Sequence, residues 1–180
     1  MKLRTLEARR GRRSTKRGTS LLEVVVAITF LVIGLLSLTS TSLAAHVLHR
    51  VDAERQLAQQ SLTQAVSELR AFAVAQRESG GWALAMTTQY APGHTFDIEG
   101  LDPWTGEASC GSITLITDEN TRDADLGLPL GLPRDLNNDG SDVDFDVSGS
   151  ARLLPAIVRV RWEGLNGQQE IEQGLYLSEF

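Results

Sequence analysis

The chain has a single cysteine in 180 residues, Cys110, so no intrachain disulfide can form and stability has to come from packing or from a metal. A lone thiol reads first as a small buried residue and second as a reactive or intermolecular one. Aromatic residues make up only 6% of the chain, and basic residues do not cluster beyond the first 18 positions. Base stacking and phosphate binding are therefore poorly served, and no nucleic-acid partner is expected. Catalytic patterns are missing as well: there is no Gly-x-Ser-x-Gly, no His-Glu-x-x-His and no glycine-rich phosphate loop. His94 has no partner pattern, and Asp97 and Glu99, two apart on an expected strand, read as a solvated strand face. The sequence reads as a non-enzyme. Proline is absent before Pro92 and glycine is absent between Gly34 and Gly80, which leaves room for one very long helix.

Charge is distributed unevenly. Residues 1–18 carry Lys2, Arg4, Arg9, Arg10, Arg12, Arg13, Lys16 and Arg17 against Glu7, a net of about +7. The anionic inner face of a membrane would retain such a leader. With −6 on the whole chain, residues 19–180 are left with about −13, an acidic surface suited to an exoplasmic domain.

Leu21 to Leu38 reads LLEVVVAITFLVIGLLSL, long enough as a helix to reach about 27 Å, close to the hydrocarbon thickness of a bilayer. Glu23 lies inside this run, near its cytoplasmic end. A carboxylate at the centre of a spanning helix costs about 2.5–3.5 kcal/mol, less near the end, and an intramembrane ionisable group is by default a functional one. If the chain were cut after Gly18, Thr19 would carry a new α-amine with a pKa of about 7.7–8.0, and Glu23 would be the fifth residue. Amine and carboxylate on neighbouring copies are then offsetting charges that set an axial stagger.

Gly18, the apolar run after it and Glu23 at the fifth position resemble the type III signal of type IV prepilins and type II secretion pseudopilins. Leu22-Glu23-Val24-Val25-Val26-Ala27 followed by Ile33-Gly34-Leu35-Leu36 is most similar to PilV-like minor pilins. The motif covers about the first 45 residues. The resemblance implies cleavage between Gly18 and Thr19 by a prepilin peptidase, N-methylation of Thr19, and a part for Glu23 in assembly. It implies as partners other pilin or pseudopilin subunits, an inner-membrane assembly platform and membrane lipid, with the chain single-pass, N-terminus cytoplasmic, before it joins a pilus or pseudopilus. Thr19 departs from the usual phenylalanine, and Ser40 stands where many major pilins have a proline. The other reading is a secreted or membrane-anchored calcium-binding recognition domain behind an ordinary signal sequence or anchor, with Ser42-Leu43-Ala44 as a small-x-small cleavage site.

The expected fold is α+β and pilin-like, a long N-terminal helix on a small antiparallel sheet. Residues 1–18 form the leader, 19–45 the membrane or filament-core helix, 46–79 its amphipathic continuation and 80–180 a β-rich head. Helix is expected from Leu21 to Gln76. Leu57, Leu62, Ala65, Val66, Leu69, Phe72, Ala73 and Gln76 form its apolar stripe, and His46 and His49, one turn apart, are interfacial. In the head, a variable loop runs from Gly81 to Thr105 around a short strand at His94–Leu101. A second strand spans Ser112–Thr117. A hairpin pairs Ala156–Glu163 with Glu170–Leu177 through a type I′ turn at Asn166-Gly167. Val158, Val160 and Trp162 point inward, with Arg159 and Arg161 outward; Ile171, Leu175 and Leu177 share the returning face.

Residues 135–146 place oxygen donors at loop positions 1, 3 and 5 (Asp135, Asn137, Asp139), Gly140 at 6, Ser141 at 7 and Asp146 at 12. That spacing matches a calcium loop of the EF-hand or dockerin kind. Against it, position 8 is Asp142, Asp146 is shorter than the usual glutamate, and the flanks are not paired helices. The competing reading is a solvated acidic turn.

Overall fold

A computed structural model describes residues 20–78 and 81–180; Gly18 and Thr19 lie outside them. The chain divides into two units, residues 1–45 and 46–180. Helix α1 runs Leu21–Gln76, as the lack of internal proline and the sparse glycine permit. Within the first unit its side chains from Leu21 to Leu43 are exposed, and an 18-residue window has a mean hydropathy of 2.7 with none of it buried. This helix is long and apolar enough to cross a membrane. Hydroxyls in it bond back to the helix: Thr29 donates to Val25 O at 2.8 Å, Ser37 to Ile33 O at 2.9 Å and Ser40 to Leu36 O at 3.0 Å. Their polarity is thereby hidden from an apolar solvent.

The second unit is an α+β arrangement. Strands β1 (His94–Phe96), β2 (Gly111–Leu115), β3 (Leu153–Gly164) and β4 (Gly167–Ser178) form one antiparallel sheet in the order β1-β2-β3-β4. On β3, Leu154, Ala156, Val158 and Val160 are fully buried and Trp162 nearly so. They share one core with Leu62, Ala65, Val66, Leu69 and Ala73 of α1 and with Leu175 and Leu177 of β4. The expected stripe is thus the buried one, with Leu57 and Phe72 partly buried at its margins and Ala58 joining it. On the outer face Arg159 pairs with Glu170 and Glu172, and Arg161 with Glu107 and Glu170. Arg161 also stacks over Trp104 at 4.8 Å, whose indole N–H is shared between Trp162 O and Gln169 O.

Four local readings are corrected. Residues 82–89 are a helix, α2 (Trp82–Gln89), where a loop was expected; eight residues are too few for a 3.6-residue period to declare itself. Trp82, Ala83 and Met86 are buried, and the Trp82 indole donates to Ala73 O at 2.9 Å. Strand β1 stops at Phe96 rather than Leu101. Beyond it the chain turns, with Leu101 N bonded to Ile98 O and Gly100 at φ 91, so that Ile98 and Leu101 are both buried; Asp97 and Glu99 are therefore not on a strand. The hairpin is longer than expected, and its central turn residues are Leu165 and Asn166, closed by Gly164 opposite Gly167. Neither has positive φ; the left-handed residue is Gly167 at φ 88, the signature of a type I turn with a glycine bulge instead of type I′. The fourth concerns the Gly/Pro/Asp-rich stretch, which is interrupted by a short helical turn, α3 (Asp123–Leu126).

Gly111 has no room for a side chain. A Cβ there would sit 2.3 Å from the Phe96 ring, a rigid group on the neighbouring strand. Gly111→Ala is expected to lower the unfolding free energy by about 1–3 kcal/mol, the usual range for overpacking, measured by urea denaturation.

Candidate functional site

Two places carry the chemistry singled out in the sequence: the start of α1 and the acidic loop. At the first, Glu23 is exposed in the opening turn. Its backbone N–H donates to Ser20 Oγ at 3.3 Å and to Ser20 O at 2.9 Å, which makes Ser20 the N-cap. Ser20-Leu21-Leu22-Glu23 is thus the Ser-x-x-Glu pattern of a capping box, a local signal that the sequence itself carries. The carboxylate also lies at the positive end of the helix dipole. Glu23 therefore has one local task, starting the helix, beside any intermolecular one.

The acidic loop is held by a residue not singled out beforehand. Glu119 is completely buried, with no cation in ion-pair distance among the described residues. Its Oε1 accepts from Leu136 N at 2.6 Å and Asn137 N at 3.3 Å, and its Oε2 from Asp144 N at 3.3 Å. Its own N–H donates to Asp144 O at 2.9 Å. Backbone dipoles take the place of a counter-ion, the arrangement under which a carboxylate tolerates burial. Buried Leu136 and Val147 anchor the two ends of the loop in the core.

The expected calcium donors also bond the loop's own backbone. Asp135 accepts from Asn138 N and Gly140 N, Asn137 Oδ1 from Asp139 N, Asp139 Oδ1 from Ser141 N, and Asp146 from Ser148 N. Asn138 takes positive φ (62) and Gly140 φ 94 in the turn these bonds shape. Among the described residues, no three or more His, Cys, Asp or Glu side chains gather so as to hold a metal ion.

Elsewhere, Cys110 is buried, with its thiol directed at Leu101 O at 3.4 Å. Burial, reinforced by the Asp97 and Asp102 carboxylates, pushes this thiol up, away from the thiolate that reactivity needs. His46 and His49 are exposed on α1. His94 packs edge-to-face on Tyr90 at 5.1 Å. Burial, with the Glu68 charge beside it, raises the Tyr90 hydroxyl, so it stays protonated at neutral pH.

Two outcomes follow for the loop region. Glu119→Gln turns one acceptor oxygen into a donor facing an amide donor, and is expected to cost about 1–3 kcal/mol in chemical denaturation. Asp123 accepts from Leu132 N at 2.9 Å and Gly131 N at 2.7 Å, and these bonds hold its carboxyl below the ordinary value. Its stabilising contribution is complete above the unfolded value of about 3.9 and is lost as pH falls through the lower folded value. Thermal melts between pH 5 and about 2.5 should therefore show a shallower acid decline for Asp123→Asn than for the unmodified chain.

Comparison with protein-family models, with curated proteins and with solved structures finds no match for this chain.

Proposed function

We propose that the chain is a minor pilin or pseudopilin, a structural subunit of a type IV pilus or of a type II secretion pseudopilus. The observation that carries the reading is the exposed apolar helix segment with a single carboxylate in its first turn, on a chain whose remaining residues form an acidic α+β unit. Exposed apolar surface of that extent needs lipid or other helices around it. On this reading a prepilin peptidase cuts after Gly18, Thr19 is N-methylated, and the segment of residues 19–45 passes from the inner membrane into the filament core. The head of residues 80–180 is carried outside the cytoplasm. The Glu23 carboxylate pairs with the α-amine of a neighbouring subunit once cleavage has exposed it.

N-terminal sequencing of the mature chain tests the processing step. A methylated Thr19 is expected; a start at Ala45, or an intact Met1, overturns it. A second measurement separates the two tasks of Glu23. Glutamine satisfies a capping box but carries no charge. Both Glu23→Ala and Glu23→Gln are expected to lower incorporation into filaments by at least about tenfold, the equivalent of ~1.4 kcal/mol. Normal incorporation of Glu23→Gln would show that the residue acts only as a helix start.

A further inference from the structure

Two surface patches of the 46–180 unit are left unsatisfied, and each supplies what the other lacks. The first is the distal part of the acidic loop, Asp142-Val143-Asp144-Phe145-Asp146. Phe145 is 81% exposed and Val143 59%. This display is rigidly backed: Glu119 N bonds Asp144 O at 2.9 Å, the Asn120 amide bonds Val143 O at 3.0 Å, and Val147 N bonds Thr117 O at 2.9 Å. A phenylalanine pinned in this way on both sides loses little backbone freedom on contact, which is the condition for an interface anchor.

The second patch lies where the end of the buried α1 stripe meets the end of β4. Arg70, Ala73, Val74 and Arg77 follow one another at i, i+3, i+4 and i+7, so they share a helix face. With Tyr176 and Leu177 they line a recess of about 280 Å³. Val74 is 56% exposed in it, and neither Arg70 nor Arg77 has an ion-pair partner among the described residues. By volume this half-open recess has room for a phenyl ring, since an enclosed cavity of about 150 Å³ holds benzene.

We infer that the occupant of this recess is Phe145 of a second copy of the chain, with exposed Asp142 of that copy, and half-buried Asp144, one oxygen of which already accepts from Asn137 Nδ2 at 3.2 Å, set against Arg70 and Arg77. The complementarity is of an apolar contact and of charge together: an aromatic knob flanked by carboxylates meets a half-polar recess in which exposed Val74 lies with two guanidinium groups that have no ion-pair partner among the described residues. A lipid surface is disfavoured, because the acidic ring is repelled by anionic headgroups. The contact joins two different patches, so it is heterologous and propagates from copy to copy unless its rotation closes. One aromatic anchor is weak in dilute solution, and confinement of copies to one membrane supplies the effective concentration it needs. The inference stands on the head's own surfaces and does not depend on how the N-terminus is processed.

The test uses the full chain reconstituted in phosphatidylcholine–phosphatidylglycerol vesicles, with a photo-reactive benzoylphenylalanine at position 145 and a mixture of ¹⁴N- and ¹⁵N-labelled copies. Expected are intermolecular cross-links to peptides containing 70–77 or 176–178. The pair Arg70→Glu and Arg77→Glu should cut their yield by at least about fivefold, as like charges then face each other. Adding Asp142→Arg and Asp144→Arg should restore it to within about twofold, which a folding defect would not do. Cross-links that are only intramolecular, that land on lipid or elsewhere on the chain, or whose yield ignores the arginine reversal, overturn the proposal. Energy transfer between dye-labelled copies gives a second readout: Phe145→Ala should abolish it at a melting temperature matching the unmodified chain, and unchanged transfer counts equally against the contact.

Discussion

The 46–180 unit depends on the burial of one strand. β3 lies between β2 and β4, and its even-numbered residues from Leu154 to Trp162 are the innermost part of the core. With no intrachain disulfide possible, their removal from water, at about 1.5–3 kcal/mol for each large side chain, is the main source of cohesion. This constraint dictates the partners. The helix must present small and branched residues at three-to-four spacing to cover β3, and it does so from Ala58 to Ala73. Where β3 begins, burial extends to both faces: Pro155 and Ile157 are covered as well, because the segment around Leu130 to Leu136 folds back on the sheet. Leu130 fills the space over Gly174, where a Cβ would come within 2.4 Å of it.

That returning segment is where the acidic loop belongs, and Glu119 is the reason it can be ordered. A buried carboxylate among many other acidic residues is unfavourable on both desolvation and repulsion. Three backbone amides converging on it offset that cost without a cation. The same logic is repeated at the surface, where Asp135, Asp139 and Asp146 each hold amides within their own turn. Oxygen spacing suited to calcium is thus also spacing suited to successive Asx turns.

How much was legible follows from the range of each signal. The apolar stripe of α1 and the alternation of β3 repeat over many residues, so their periods were readable, and the core they form is the expected one. Residues 82–89 form a helix through tertiary burial of Trp82 and Met86, which no local period announces. The hairpin's asparagine and glycine were visible, but their places in the turn were set by the register Gly164 opposite Gly167, a property of the whole β3–β4 ladder. Glu119 was invisible because its neighbours Asp118 and Asn120 make it look like one more solvated acid. Its burial comes from contacts 17 to 25 residues away. Gly18 and Thr19 lie outside the described residues, so the motif they form with Glu23 rests on sequence alone.

Glu23 shows how one side chain can serve two physical ends without conflict. As the third residue after a serine N-cap it stands where a helix favours negative charge, worth about 0.3–1 kcal/mol at an exposed site. In an apolar surrounding that gain grows, because the competing solvation by water is reduced, yet it offsets only part of the cost of carrying a carboxylate into such a surrounding. The remaining deficit favours any arrangement that brings a cation to it. A helix start with a half-compensated charge is therefore stable enough to form in a single chain and still gains from association, and the first turn of α1 has that character.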